Sequence, residues 1–190
     1  MDAAFCVFDG MTTLDFVGAY DPITRLEGRS GPAVECDVCA RSESVAADGL
    51  QLTVDRVEPD LGAYDLLFVP GGLATRDLRH DEGFLDWLRS GADCDYLTSV
   101  CTGSLLLGAA GFLEGKTATT HPDAVDLLDD YATVSDRRVV RDGNVITARG
   151  VTASVDFGLY VVELLSDAET RAAIATQMDY PYGRDVFPSG

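Results

Sequence analysis

Residues 95–111 read Asp95-Tyr96-Leu97-Thr98-Ser99-Val100-Cys101-Thr102-Gly103-Ser104-Leu105-Leu106-Leu107-Gly108-Ala109-Ala110-Gly111. The first part of this stretch predicts a buried strand and the last part a buried helix. Cys101 stands where the two meet, among small residues. A sharp strand-to-helix turn projects its central side chain above the sheet edge and directs the first free N–H groups of the helix towards it. Because a helix N-terminus also favours a thiolate, the stretch predicts a cysteine nucleophile on an elbow.

The length and composition of the chain predict one globular domain spanning residues 1–190. The chain has 190 residues, of which 46% are hydrophobic, which is enough for a sizeable core. It contains no apolar run as long as a membrane span, and its first residues lack the basic region and cleavage site of a signal peptide. We therefore expect a cytoplasmic protein with no membrane partner.

The charge balance is strongly acidic, with 14 basic and 32 acidic residues and a formal net charge of −18. Such a surface repels polyanions, so we expect no nucleic-acid partner. Aspartate predominates among the acids, and Lys116 is the only lysine. An Asp-rich, Lys-poor surface stays hydrated in high salt, where self-repulsion is screened. This composition predicts a halophilic source but says nothing about the reaction.

The five cysteines do not predict a disulfide framework or a metal site. Their number is odd, which argues against a full set of structural pairs. Cys36 and Cys39 form a C-x-x-C pair, but they lie in a segment that alternates like a strand. Residues three apart on a strand point to opposite faces, and no second C-x-x-C completes a zinc site. The function of this pair is left open.

Short apolar runs alternate with helical patterns along the chain. Besides the strand before Cys101, strands are predicted at residues 3–8, 33–40, 64–69 and 116–120, with a short extra strand at 51–54 and a hairpin formed by 138–141 and 144–147. Besides the helix after Cys101, helices are predicted at residues 14–23 (bent or restarted at Pro22), 76–90, 124–130, 152–165 and 167–177, followed by a surface-packed tail at 179–190. The alternation predicts an α/β fold, a mostly parallel sheet with helices on both faces.

Three features lie at or just beyond the predicted strand ends, where the chemistry of such folds gathers. They are Asp15, the Gly71-Gly72 pair after an apolar strand, and Cys101. Glycines let backbone N–H groups approach a substrate closely, and one of them, with the N–H of Thr102, would stabilise a developing negative charge. Asp15 has two interpretations: a first-turn helix acid, or a carboxyl group that exchanges protons with the thiol.

The two histidines and one threonine complete the set of candidate site residues. His80 lies on a solvated face, whereas His121 follows a predicted strand and would approach Cys101 as a Cys–His pair if the geometry allows. Thr152 is predicted to cap a long helix near the pocket.

Together these motifs resemble the ThiJ/PfpI superfamily. The resemblance covers nearly the whole chain and is carried by residues 8–10, 14–18, 69–72, 99–104, 111–121, 139–144 and 152–159. It implies a flavodoxin-like three-layer sandwich with a nucleophile elbow, usually assembled as a homodimer. The Cys101-Thr102-Gly103-Ser104 motif is most similar to isonitrile hydratase and to the amidase-like domains of AraC-type regulators. The residues after 178 are too few for the DNA-binding half of such a regulator.

The resemblance implies a mechanism and a set of roles. In isonitrile hydratase the cysteine attacks the isonitrile carbon to form a thioimidate, and the product is an N-substituted formamide. The matching residues here are Cys101 as nucleophile, with Asp15 and Thr102 assisting proton transfer and water, and Gly72 in the oxyanion-type position. The substrate is then a small molecule, with no metal or organic cofactor.

Departures from the superfamily pattern leave alternatives open. Protease-like members carry histidine directly after the cysteine, whereas this chain has Thr102, so proteolysis is not expected. Glyoxalase and deglycase members usually carry glutamate in place of Asp15, and a His-Trp pair is common in related proteins where this chain has His121-Pro122. The leading hypothesis is isonitrile hydration. The alternatives are glyoxalase or deglycase chemistry on reactive carbonyls, and a redox or stress protein that senses through Cys101.

Overall fold

Eleven strands occur in the computed structural model, which describes residues 1–29 and 33–181. They are β1 (Asp2–Cys6), β2 (Glu35–Ala40), β3 (Ser44–Ala47), β4 (Leu50–Thr53), β5 (Arg56–Val57), β6 (Leu66–Val69), β7 (Tyr96–Val100), β8 (Thr117–Ala118), β9 (Thr133–Val134), β10 (Val139–Asp142) and β11 (Val145–Ala148). Seven form the central sheet in the order β10-β11-β7-β6-β1-β2-β5. All neighbours in this sheet are parallel except the β10–β11 hairpin. The predicted mostly parallel sheet is confirmed.

Helices cover both faces of this sheet and make the fold a three-layer sandwich. They are α1 (Thr13–Thr24), α2 (Thr75–Leu78), α3 (Glu82–Arg89), α4 (Gly103–Ala109), α5 (Val125–Leu128), α6 (Ala153–Leu165) and α7 (Ala168–Gln177). Phe5 of β1 packs edge-on against Phe16 of α1, on the face that also holds α6. Phe8, three residues later, packs against Phe84 of α3 on the other face. Because both faces are covered, the central strands are continuous apolar runs.

Several predicted boundaries are corrected by local interactions. The predicted helix 76–90 is two helices, because the Asp81 side chain accepts the N–H of Phe84 (3.0 Å) and starts α3 as its N-cap. Helix α1 runs unbroken through Pro22, which lies near its end, costs one hydrogen bond there and packs against Gly158 of α6.

Two of the predicted strands also differ in the structure. The predicted strand 116–120 is reduced to β8, which pairs with β9 outside the central sheet. The predicted strand 51–54 is β4, and it forms a hairpin with β3, a strand that the sequence reading missed.

The order of the strands places a crevice where the loops after β1 and β6 meet. The chain leaves β1 towards β2 on one side and later enters β6 on the other. Ligands in such sheets bind at this reversal point, beyond the carboxyl ends of the strands. Here Met11 pairs with Gly72, and the Thr12 N–H donates to the Gly71 carbonyl (2.8 Å). The two loops are thereby joined beside the start of α1.

Two further observations concern the whole of the described chain. No helix within residues 1–29 and 33–181 is long and apolar enough to cross a bilayer. The predicted packing of the tail, residues 179–190, falls outside the described residues from 182 onward.

Candidate active site

Cys101 forms the predicted strand-to-helix elbow between β7 and α4. Its φ angle is +56°, a left-handed conformation that is uncommon for a residue with a side chain. Its N–H donates to the carbonyls of Ala148 (2.9 Å) and Arg149 (3.1 Å). Its carbonyl accepts from the hydroxyls of Ser104 (3.1 Å) and Thr120 (3.0 Å). These four bonds hold the strained backbone in place, as expected where strain serves a functional position.

Asp15 lies against the thiol in a fully buried position. Its carboxyl group interacts with the Cys101 side chain, and its Oδ2 accepts the N–H of Gly71 (3.0 Å). The contact depends on Gly71 having no side chain. A Cβ there would lie 2.6 Å from the Thr102 nitrogen, 2.7 Å from the Cys101 Cβ and 2.8 Å from Asp15 Oδ2. The structure therefore brings together three of the predicted site elements: Cys101, Asp15 and the glycine pair.

The Cys101–Asp15 pair carries one proton at neutral pH. Burial raises the pKa of Asp15 to about 6, although the Gly71 N–H and the thiol partly offset this effect. Burial, together with the Asp15 charge, raises the pKa of Cys101 to about 12, against the opposing effect of the N–H groups of Thr102 and Val151. The proton therefore lies on sulfur and Asp15 is the carboxylate. Desolvation of the thiol therefore outweighs the amide groups at the helix N-terminus, which favour a thiolate.

The glycine N–H groups are engaged within the protein. Gly71 donates to Asp15, and Gly72 donates to the Thr102 hydroxyl (3.0 Å). The Thr102 hydroxyl in turn donates to the Gly72 carbonyl (3.0 Å). Gly72 has a φ of +146°, which glycine adopts without strain. The amide groups that contact the sulfur are those of Thr102 and Val151, and the oxyanion role of Gly71 and Gly72 stays a prediction.

The thiol opens into a pocket of about 170 Å³. The residues lining it are Thr12, Gly72, Leu73, Arg76, Cys101, Thr102, His121, Asp123 and Val151. A larger cavity of about 380 Å³ lies beside Phe8, Val45 and Phe84, and none of the candidate catalytic groups reaches it. We place the candidate site in the smaller pocket because Cys101 lines it.

His121 forms part of the pocket wall and does not pair with the cysteine. Its Nδ1 accepts the N–H of Asp123 (3.2 Å), and its ring lies against Gly150. In residues 1–29 and 33–181 no hydrogen bond joins His121 to Cys101. The ionisable side chain that contacts the thiol is therefore Asp15, which the sequence left with two interpretations.

Thr152 lies outside the pocket, and this prediction is corrected. It is exposed, its hydroxyl accepts from Arg138 Nη2 (3.1 Å), and it makes no capping bond to α6. The residue before it, Val151, has a φ of +38° and supplies the amide group that contacts the sulfur. Val151 was missed by the sequence reading, although it follows the carboxyl end of β11, where such groups are expected.

The C-x-x-C pair is split between the two faces of the sheet, as predicted. The Cys39 sulfur lies 3.7 Å from the hydroxyl of Tyr64, whereas Cys36 lies near Tyr20 of α1. Burial raises the pKa of Cys36 to about 12 and that of Cys39 to about 11. Within the part of the chain that the structure describes, no group of three or more His, Cys, Asp or Glu side chains is arranged to hold a metal.

Comparisons with known proteins agree with this geometry. The model of the DJ-1/PfpI family matches residues 1–164. The isonitrile hydratase of Pseudomonas putida is 39% identical over 182 residues, which cover 95% of this chain and 78% of that protein. Protein DJ-1alpha of Drosophila melanogaster is 34% identical over 148 residues, covering 76% of this chain and 66% of that protein.

A solved structure shows the same fold. The crystal structure of a ThiJ/PfpI family protein from Pseudomonas syringae superimposes with a TM-score of 0.86 at 35% identity. The superposition covers 96% of this chain and 76% of the Pseudomonas syringae chain. The flavodoxin-like sandwich, the elbow cysteine and the matched family model lead to one conclusion: this chain belongs to the DJ-1/PfpI family.

Proposed function

We propose that the protein adds water to a small electrophilic carbon through Cys101, and that its substrate is an isonitrile, which it hydrates to an N-substituted formamide. The observation that carries the proposal is the buried Cys101–Asp15 pair, which holds one proton between a nucleophile and a base. The similarity to the Pseudomonas putida isonitrile hydratase supports the choice of substrate.

In the first step the sulfur of Cys101 attacks the terminal isonitrile carbon. The Asp15 carboxylate accepts the thiol proton as the S–C bond forms, and it delivers that proton to the same carbon. The product is a thioimidate, in which carbon is bonded to sulfur, hydrogen and nitrogen. The N–H groups of Thr102 and Val151 stabilise negative charge on the sulfur during the attack.

In the second step a water molecule adds to the thioimidate carbon. Asp15 accepts a proton from the water as the C–O bond forms and passes that proton to the substrate nitrogen. The C–S bond then breaks, the carbonyl forms, and the sulfur recovers its proton through Asp15. The Thr102 hydroxyl, bonded twice to Gly72, holds the glycine loop against the pair throughout.

The structure does not favour either alternative function. Oxidation of a cysteine proceeds through its thiolate, and the pKa of Cys101 is raised to about 12, which opposes a redox-sensing role. For glyoxalase or deglycase chemistry, no contact in the pocket distinguishes a carbonyl substrate from an isonitrile. That alternative is tested by the same experiment.

The test is a substrate screen in molar KCl with the wild type, Cys101→Ser, Asp15→Asn and Cys36→Ser. Cys36→Ser is the matched control, because Cys36 is a half-buried free thiol that lies outside the pocket. We expect formamide production, followed by proton NMR, from the wild type and the control. We expect Asp15→Asn to lose about 10²–10⁴-fold in kcat, as is typical for a general acid–base, and Cys101→Ser to be inactive.

Two results would contradict the proposal. One is isonitrile hydration that survives Cys101→Ser. The other is Cys101-dependent consumption of methylglyoxal with no formamide produced from any isonitrile, which would establish the glyoxalase alternative.

A further inference from the structure

Arg76 is a cation in the wall of the Cys101 pocket, and its charge has no partner among the residues that the structure describes. It lies in α2, four residues after Gly72, and is half-buried. In the part of the chain that the structure describes, its guanidinium makes no hydrogen bond and no ion pair. Six other arginines do pair with carboxylates, namely Arg25, Arg41, Arg56, Arg89, Arg138 and Arg171.

The position of Arg76 in the pocket wall distinguishes it from the other arginines that lack an ion pair. None of the other described arginines without an ion pair lines this pocket, namely Arg29, Arg79, Arg137, Arg141 and Arg149. An arginine that lines a concave site without a partner presents its planar set of donors to whatever enters. Guanidinium groups bind carboxylates with two parallel hydrogen bonds, which give both affinity and orientation.

The other charged groups of the pocket determine how an anion would lie. Asp123 is at the rim with its side chain 84% exposed, 3.8 Å from the Nδ1 of His121. Asp15 lies behind the thiol and is ionised at neutral pH. Both carboxylates repel an anionic group from the sulfur and the rim, whereas Arg76 attracts it. An acidic substrate would therefore bind with its anionic end at Arg76 and its uncharged reactive carbon at Cys101.

We propose that Arg76 binds a carboxylate on the substrate, so that the substrate class is a small electrophile that carries an acidic group. This inference rests on the proposed function: for an isonitrile hydratase the preferred class is an isocyano carboxylic acid. Arg76 is then a specificity-determining residue that binds the substrate and takes no part in proton transfer.

The first test uses two alkylating reagents of nearly equal size, so it does not depend on turnover. Iodoacetate is anionic and iodoacetamide is neutral; in each case the sulfur displaces iodide and the thiol proton passes to Asp15. Rates of Cys101 alkylation are measured by mass spectrometry for the wild type, Arg76→Gln, Arg76→Lys and Arg137→Gln. Arg137 is exposed and outside the pocket, so Arg137→Gln controls for the change in net charge.

We expect the ratio of the iodoacetate rate to the iodoacetamide rate to fall about tenfold in Arg76→Gln, the effect of losing one charge-assisted hydrogen bond. Arg76→Lys should keep most of the ratio, because the charge remains, and Arg137→Gln should leave it unchanged. A ratio that is equal in Arg76→Gln and the wild type would overturn the proposal.

The second test compares isocyanoacetate with its methyl ester as substrates. We expect KM for the acid to rise about tenfold in Arg76→Gln while kcat and the kinetics of the ester stay close to wild type. If both compounds are hydrated but neither KM nor the alkylation ratio depends on Arg76, this inference fails and the proposed function stands. If neither is hydrated but the alkylation ratio depends on Arg76, the acid-binding role stands and the isonitrile substrate is wrong.

Discussion

Replacing Asp15 with asparagine should stabilise the folded protein at neutral pH while it removes the proposed base. Asp15 is fully buried, and its Oδ1 has no hydrogen-bond partner in the described part of the chain. The cost of keeping this carboxylate ionised is visible in its pKa, which burial raises from 3.8 to about 6. Asparagine keeps an oxygen that accepts the N–H of Gly71 but carries no charge.

The size of the effect follows from the shift in pKa. A raised pKa of about 2 units corresponds to about 3 kcal/mol between the two protonation states. Between pH 3.8 and about 6 the folded chain keeps the Asp15 proton that the unfolded chain has lost. The stability that this proton contributes is therefore complete below pH 3.8 and is lost as the pH rises through 6. The advantage of Asp15→Asn over the wild type should grow by about 3 kcal/mol across that window and then stay constant.

The assay is urea unfolding of both proteins at half-unit steps from pH 4 to pH 8, at constant KCl. All other carboxylates are common to both proteins, so their titration cancels in the difference. Asp130→Asn, a substitution of an exposed carboxylate, is the control and should show a small difference that hardly changes with pH. A difference between Asp15→Asn and the wild type that is equal at pH 4 and pH 7.5 would refute the assignment of a strained, buried carboxylate.

Two further predictions test the geometry of the fold around the site. Gly71→Ala should destabilise the protein by about 1–3 kcal/mol through overpacking, because the new Cβ would lie 2.6 Å from the Thr102 nitrogen and 2.7 Å from the Cys101 Cβ. Urea unfolding and the rate of Cys101 alkylation test this prediction, and wild-type values of both would contradict it. Asp81→Ala should lower the free energy of unfolding by about 1 kcal/mol, because the bond from the Phe84 N–H to the Asp81 side chain caps α3. If neither Asp81→Ala nor Asp81→Asn changed urea unfolding, the cap would contribute nothing to stability.

The pattern of neighbouring residues was sufficient to predict features that are formed by residues close together in the chain. The apolar strand before Cys101 and the small residues after it predicted the elbow, and the positive φ of Cys101 agrees. The alternation of strands and helices predicted the parallel sheet, because parallel neighbours need a crossover between them. Asp81 is a good N-cap residue and indicates the start of α3, whereas the apolar face of residues 76–90 predicted one continuous helix.

The sequence by itself determined the fold class, the family resemblance and the position of Cys101 at the elbow, because a strand, a turn and a helix are encoded by adjacent residues. Only the tertiary structure decided what surrounds the Cys101 thiol. The partners of the thiol come from the start of α1 and the loop after β11, which are distant from Cys101 in the chain. Burial is a property of the assembled layers, and it places the shared proton on sulfur and the negative charge on Asp15. Hydrogen bonds formed on folding likewise engage the N–H groups of Gly71 and Gly72 and leave those of Thr102 and Val151 to contact the sulfur.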